Sequence, residues 1–250
     1  MNEPYRAPYG HQGTVARTGA RVDAGLRSYM LGIYNYMASG VLLTGLVALI
    51  TYSTPAIHTL LFRLNEFGQI VGYTGLGWVA VLAPLAVVFG MSFGINRLSA
   101  SAAQGLFWGY AALMGLSLSS ILFVYTGVSI AKVFFMAAAM FGALSLWGYT
   151  TKRDLSGWGT FLFMGLIGVI IASVVNMFLG SSMLDLIVSI VGLLVFAGLT
   201  AYDNQKLKQM YYVVGGGEAR AKTMVMGALS LYLDFINMFL FLLRFFGSRE

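Results

Sequence analysis

Acidic residues are scarce in this chain, and their positions bound the chemistry it could perform. Nine Asp and Glu occur in 250 residues. Glu3, Asp23, Glu66, Asp154, Glu218 and Glu250 lie in polar stretches, where a solvated charge is the ordinary reading. Asp185, Asp203 and Asp234 lie in or at the edge of long apolar runs. A charge in hydrocarbon is costly, so an acid placed there marks an ion or proton route by default. Asp234 sits within Leu231-Tyr232-Leu233-Asp234-Phe235-Ile236-Asn237. Helical spacing puts Gly227, Ser230, Asp234 and Asn237 on one face, with Leu, Phe and Met elsewhere. That polar stripe should face other helices rather than lipid. Asp203, in Thr200-Ala201-Tyr202-Asp203-Asn204-Gln205, can be read as an intramembrane acid or as a helix-end acid paired with Lys206 at i+3. Asp185 precedes Asp203 by five helical turns, which puts both on one face. It is a candidate for the same route or an interfacial acid.

Other chemistries lack their residues. Cysteine is absent, which excludes thiolates and Cys-based metal sites. His11 and His58 fall outside the apolar runs, so no intramembrane His can serve a serine nucleophile. The last apolar run has no Lys for a Schiff base. Neither a Walker loop nor a His-Glu metal motif occurs. The chain is expected not to be an enzyme and to hold no tightly bound cofactor. The net charge of +6 carries no nucleic-acid motif with it, and the basic residues cluster at segment ends.

The elements that position these acids are membrane helices. The chain is 58% hydrophobic and 10% charged, against about 25% charged in soluble domains. A spanning helix needs about 20 apolar residues. Seven such runs are predicted, at 28–52, 74–94, 103–125, 130–150, 158–179, 184–206 and 223–245. The fold class is an all-α integral membrane bundle, a seven-helix domain over 28–250 behind a flexible tail at 1–27. Eleven of the 15 Lys and Arg, Arg97 among them, fall on the side that holds the tail. The positive-inside rule therefore puts the N-terminus in the cytoplasm. A six-span bundle with a re-entrant last segment is the rival topology.

The segment Phe196-Ala197-Gly198-Leu199-Thr200-Ala201-Tyr202-Asp203-Asn204-Gln205-Lys206-Leu207-Lys208 closely resembles the signature of the Bax inhibitor-1 family. The later segments Leu229–Asn237 and Leu242-Leu243-Arg244-Phe245-Phe246-Gly247 resemble it too. The glycine-rich loop and basic tail are similar to bacterial members. The resemblance implies a helical bundle with the last helix central and an inner-membrane location. It also implies a pH-sensitive calcium leak using two aspartates. Carried over, these are Asp203 and Asp234, which would ligate calcium transiently as the transported ion. Arg97 corresponds to a latch of the closed state. Asn204 departs from a commoner Thr. Two carboxylates in contact resist being ionised together, so they would titrate as one unit. For them to meet, the sixth span must continue well past Lys208, with its lysines reaching back to the headgroups. The competing expectation is a non-transporting protein that modulates a membrane protease or cell-death partner. Lipid, calcium and protons are the expected partners in the first case, a membrane protein in the second.

Overall fold

The computed structural model describes residues 12–249, with side chains described from Ala24 onward. Arg6 and His11 lie outside the described residues, as do the side chains of Arg17, Arg21 and Asp23. Eight α-helices occur among the described residues: α1 Gln12–Ser53, α2 Pro55–Leu61, α3 Gly75–Gly94, α4 Ala100–Leu118, α5 Gly127–Thr150, α6 Trp158–Leu179, α7 Ser182–Val213 and α8 Glu218–Phe246. Seven are long and apolar enough to cross a membrane; α2 is the exception. α1 begins at Gln12, so helix covers part of the segment expected as a tail, and Leu26 is already buried in the core.

The helix boundaries have local causes. Thr74, Ser99, Thr126 and Ser181 each accept a backbone N–H of the helix they start, satisfying a donor that would otherwise be orphaned. Gly180 ends α6 in the left-handed conformation at φ 62°, which costs a glycine little. The third span is not helical in one style throughout. After Leu118 it tightens to a 3₁₀ turn, Ser119–Phe123. There Ser119 and Ser120 donate back to the carbonyls of Leu116 and Ser117, a competition with the helix ladder that serine favours.

α8 is the axis of the bundle. It packs against α7, α1, α5 and α4. Residues on all of its faces are buried, including Leu231, Tyr232 and Met238 at 0% exposure. The expected polar stripe is present, but the faces beside it also meet protein rather than lipid. α6 lies outside α7, and α3 lies outside α4. Their apolar faces are left exposed, as a bilayer solvent requires.

Close helix contacts rest on small residues. A Cβ on Gly115 would lie 2.7 Å from the Thr44 carbonyl oxygen, so α4 and α1 meet there backbone to backbone. A Cβ on Gly148 would strike the Ala201 carbonyl, which sets the approach of α5 to α7.

The last helix runs from one end of the bundle to the other and does not turn back. α8 has 29 residues, about 43 Å at 1.5 Å per residue. Beyond it, Ser248 accepts from the Thr126 N–H at 3.0 Å and donates its own N–H to Ser129 Oγ at 2.8 Å. The C-terminus is therefore tied to the start of α5, at the opposite end of the bundle from the α3–α4 turn. The gap between the first two spans also carries structure beyond a loop: α2 and an antiparallel hairpin, β1 Phe62–Leu64 and β2 Ile70–Tyr73.

Candidate functional site

Four consecutive residues of α7, Tyr202 to Gln205, reach four different neighbours. The ring of Tyr202 lies against Gly159 of α6. The carboxylate of Asp203 lies beside Ser230 and near Asp234, both on α8. Asn204 is fully buried. It accepts from the Tyr34 hydroxyl of α1 at 2.5 Å, and donates to Ser145 Oγ of α5 at 3.1 Å and to the Thr200 carbonyl at 2.7 Å. Gln205 donates to the Arg153 carbonyl at 2.7 Å and accepts from the Leu155 N–H at 2.7 Å, pinning the α5–α6 turn to α7. One turn of α7 thus touches α1, α5, α6 and α8.

Helix length settles how the two aspartates meet. α7 runs 32 residues, seven beyond the predicted end of that span. Asp203 lies ten residues before Val213, about 15 Å inside the helix end. The antiparallel α8 starts at Glu218, so Ser230 lies about 18 Å along it and Asp234 about 24 Å. Asp203 is therefore level with Ser230, and Asp234 is one turn deeper. The lysines on this overhang turn toward aromatic rings. Lys208 Nζ donates to the Tyr149 carbonyl at 2.9 Å and sits 5.0 Å from the Tyr149 ring centre. Lys206 lies 5.9 Å from the Tyr202 ring centre. The alternative i+3 ion pair between Asp203 and Lys206 is not among the salt bridges of the described residues.

Asp234 is 4% exposed, and its Oδ2 has no hydrogen-bond partner among the described residues. An unpaired buried polar atom costs on the order of 1–3 kcal/mol; Tyr29 Oη, Ser189 Oγ and Arg220 Nε share that condition, and Asp234 differs from them in being an acid beside another acid. A cavity of about 730 Å³ leads toward it from the end of the bundle that holds the α3–α4 turn. The rim includes Asn96, Lys206, Glu218 and Lys222, and the inner wall reaches Gly227 and Ser230. Glu218 pairs with Lys222 at 3.5 Å and accepts from the Ala100 N–H at 3.3 Å, tying the starts of α8 and α4 together.

The remaining candidates lie apart. Arg97 is exposed in the turn between α3 and α4, beside the cavity rim at Ile95 and Asn96, and forms no salt bridge among the described residues. Asp185, at the far end of α7, pairs with Arg244 at 3.4 Å, and both side chains are nearly half exposed. Tyr34 and Ser145 were not singled out in the sequence. Nothing in their spacing marks them, because each is one of several polar residues in its helix and only the fold brings them to Asn204.

The model of the family described as "Inhibitor of apoptosis-promoting Bax1" matches residues 26–250, which include every element of this site. The chain belongs to the Bax inhibitor-1 family. It is 49% identical over 229 residues to the inner membrane protein YbhL of Escherichia coli K12, covering 91% of this chain and 94% of that one. An uncharacterized protein of Rickettsia prowazekii is 49% identical over 228 residues, covering 91% and 92%. One from Deinococcus radiodurans is 40% identical over 236 residues, covering 94% and 97%. As a Bax inhibitor-1 family protein the chain is an integral membrane protein.

Proposed function

We propose that this chain is a pH-regulated calcium leak in which Asp203 and Asp234 act as one titrating unit. The observation that carries this reading is the enclosure of Asp234: a buried carboxylate on the central helix, with an unpartnered oxygen and a second carboxylate beside it. Ionised, the pair presents hard oxygens to Ca²⁺. Protonated, either carboxyl can donate a hydrogen bond to the other and join α7 to α8. Proton load would then bias two arrangements of these helices. The cavity ending at Ser230 supplies a water-wide approach from one side.

Calcium takes six to eight oxygen ligands. Among the described residues no group of three or more His, Cys, Asp or Glu converges. Two carboxylates and the Ser230 hydroxyl leave much of the shell to water, which suits an ion in transit better than one stored. The lysine-bearing end is assigned to the cytoplasm of a bacterial inner membrane, by the excess of Lys and Arg on that side.

The test is calcium flux against pH in proteoliposomes holding this protein alone. The wild type should leak calcium with a pH-dependent rate, and Asp203→Asn and Asp234→Asn should each flatten that dependence. Wild-type profiles from both variants would leave the acids structural. A second reading, a non-transporting protein that modulates a protease or cell-death partner, is favoured by the description of the family model. It is the reading that survives if the purified wild type carries no calcium.

A further inference from the structure

α1 and α5 both pack on α8 and α7 but scarcely on each other. A seam is left between them along the outside of the bundle. Two cavities occupy it, about 360 Å³ at the lysine-bearing end and about 200 Å³ at the far end. On α1 the first cavity runs from Arg27 to Tyr34, about 10 Å at 1.5 Å per residue, and the second, which Leu118, Ile121 and Leu122 also line, runs from Val41 to Leu49. Leu31 and Leu146 on its two lips are 49% and 64% exposed, so the seam opens sideways, where acyl chains lie. Its floor at the lysine-bearing end is closed by the Tyr34–Asn204–Ser145 bridge. A Cβ on Gly142, in the wall, would meet nothing within 4 Å.

The mouth of this half-seam is basic. Arg27 is its one charged lining residue among the described residues, from α1, and Lys208 stands behind the α5 wall, held to the carbonyl of Tyr149. We propose that this half of the seam binds one anionic glycerophospholipid, an acyl chain in the groove and the phosphate at Arg27. The chain end is recognised by an apolar trough opening into hydrocarbon. The headgroup is recognised by a guanidinium, which forms charge-assisted bonds to phosphate oxygens, in a basic pocket between helices of the kind that takes anionic headgroups. A second copy of this chain fits less well, because the trough is narrow and walled by two helices instead of forming a broad flat face.

The full chain, purified from nanodiscs of equal phosphatidylglycerol and phosphatidylcholine, should retain one lipid by native mass spectrometry, with phosphatidylglycerol favoured at least about fivefold. Arg27→Gln should keep a lipid and lose the headgroup preference. Gly142→Phe, which grows into open space, should lose the lipid. Leu31→Trp on the opposite lip repeats that test should the first variant misfold. No retained lipid, equal retention of the two headgroups by the wild type, or full retention in the filled variants, overturns the proposal. None of these readouts depends on calcium flux.

Discussion

Asp234 and Asp185 are acids of the same helix pair, placed in opposite circumstances. Asp234 lies mid-bundle at 4% exposure, with an oxygen that no described residue partners. Asp185 sits at the far end of α7, paired to Arg244 of α8 and 48% exposed. The pair at the far end complements both helix dipoles, an acid in a first turn and a base in a last turn. It needs nothing more to explain it. The enclosed acid pairs with no Lys or Arg among the described residues, and its neighbour is another acid. The difference teaches that a carboxylate in an apolar run becomes a functional candidate through its surroundings; the run alone does not make it one.

The comparison breaks most readily at calcium flux. Asp203→Asn with Asp234→Asn should flatten the pH profile no further than either single change, because groups acting as a unit are not additive. Asp185→Asn should leave the profile intact. A flattened profile in Asp185→Asn would erase the distinction between the two ends.

Packing near Asp203 supplies the next largest effect. Gly148→Ala puts a methyl against the Ala201 carbonyl, two residues before Asp203. Overpacking of this kind costs about 1–3 kcal/mol, so a clear fall in thermal stability in detergent is expected. Unchanged stability would show that α5 and α7 can separate freely, and would weaken the account of how Asp203 is held.

Arg97→Ala should raise the resting leak by about twofold at most, since an exposed charge across water is screened within about 10 Å. An unchanged leak leaves Arg97 as a topology anchor. Removing the exposed Asp185–Arg244 pair should cost at most about 1 kcal/mol, read as a small shift in melting temperature.

Asp154 in the α5–α6 turn is the smallest case. The Ser156 hydroxyl beside it, and a hydrogen bond from the Ser156 backbone N–H at 2.9 Å, hold its carboxyl below the ordinary 3.8. The folded value is the lower one, so the stabilisation is present above 3.8 and is lost as pH falls through the lowered value. Asp154→Asn should therefore destabilise slightly at neutral pH and not at all in strong acid. A larger loss in acid than at neutrality would reverse that sign.

Much of the scaffold was legible from hydropathy. The seven runs correspond to the seven long helices, and the polar breaks at Thr126-Gly127 and Gly180-Ser181 are the caps that separate α4 from α5 and α6 from α7. The hairpin at 62–73 was not legible, because its strands of three and four residues are too short to show alternation. Nor was the position of α1's start, since a helix can continue through polar residues that no hydropathy window counts.

The site divides along the same line. The sequence by itself determined that Asp203 and Asp234 lie in apolar runs, that no His or Cys accompanies them there, and that basic residues crowd one end. Those are properties of the chain read locally, and a bilayer acts on them locally. Only the tertiary structure decided that Asp203 stands level with Ser230, that Asn204 joins Tyr34 to Ser145, and that α1 and α5 leave a seam open. Each of these depends on where a helix ends and how far it is rotated against a neighbour remote in sequence. Overlap between antiparallel helices is set by the tight turn joining α7 to α8 and by small residues at the contacts, and no pattern within a single helix encodes it.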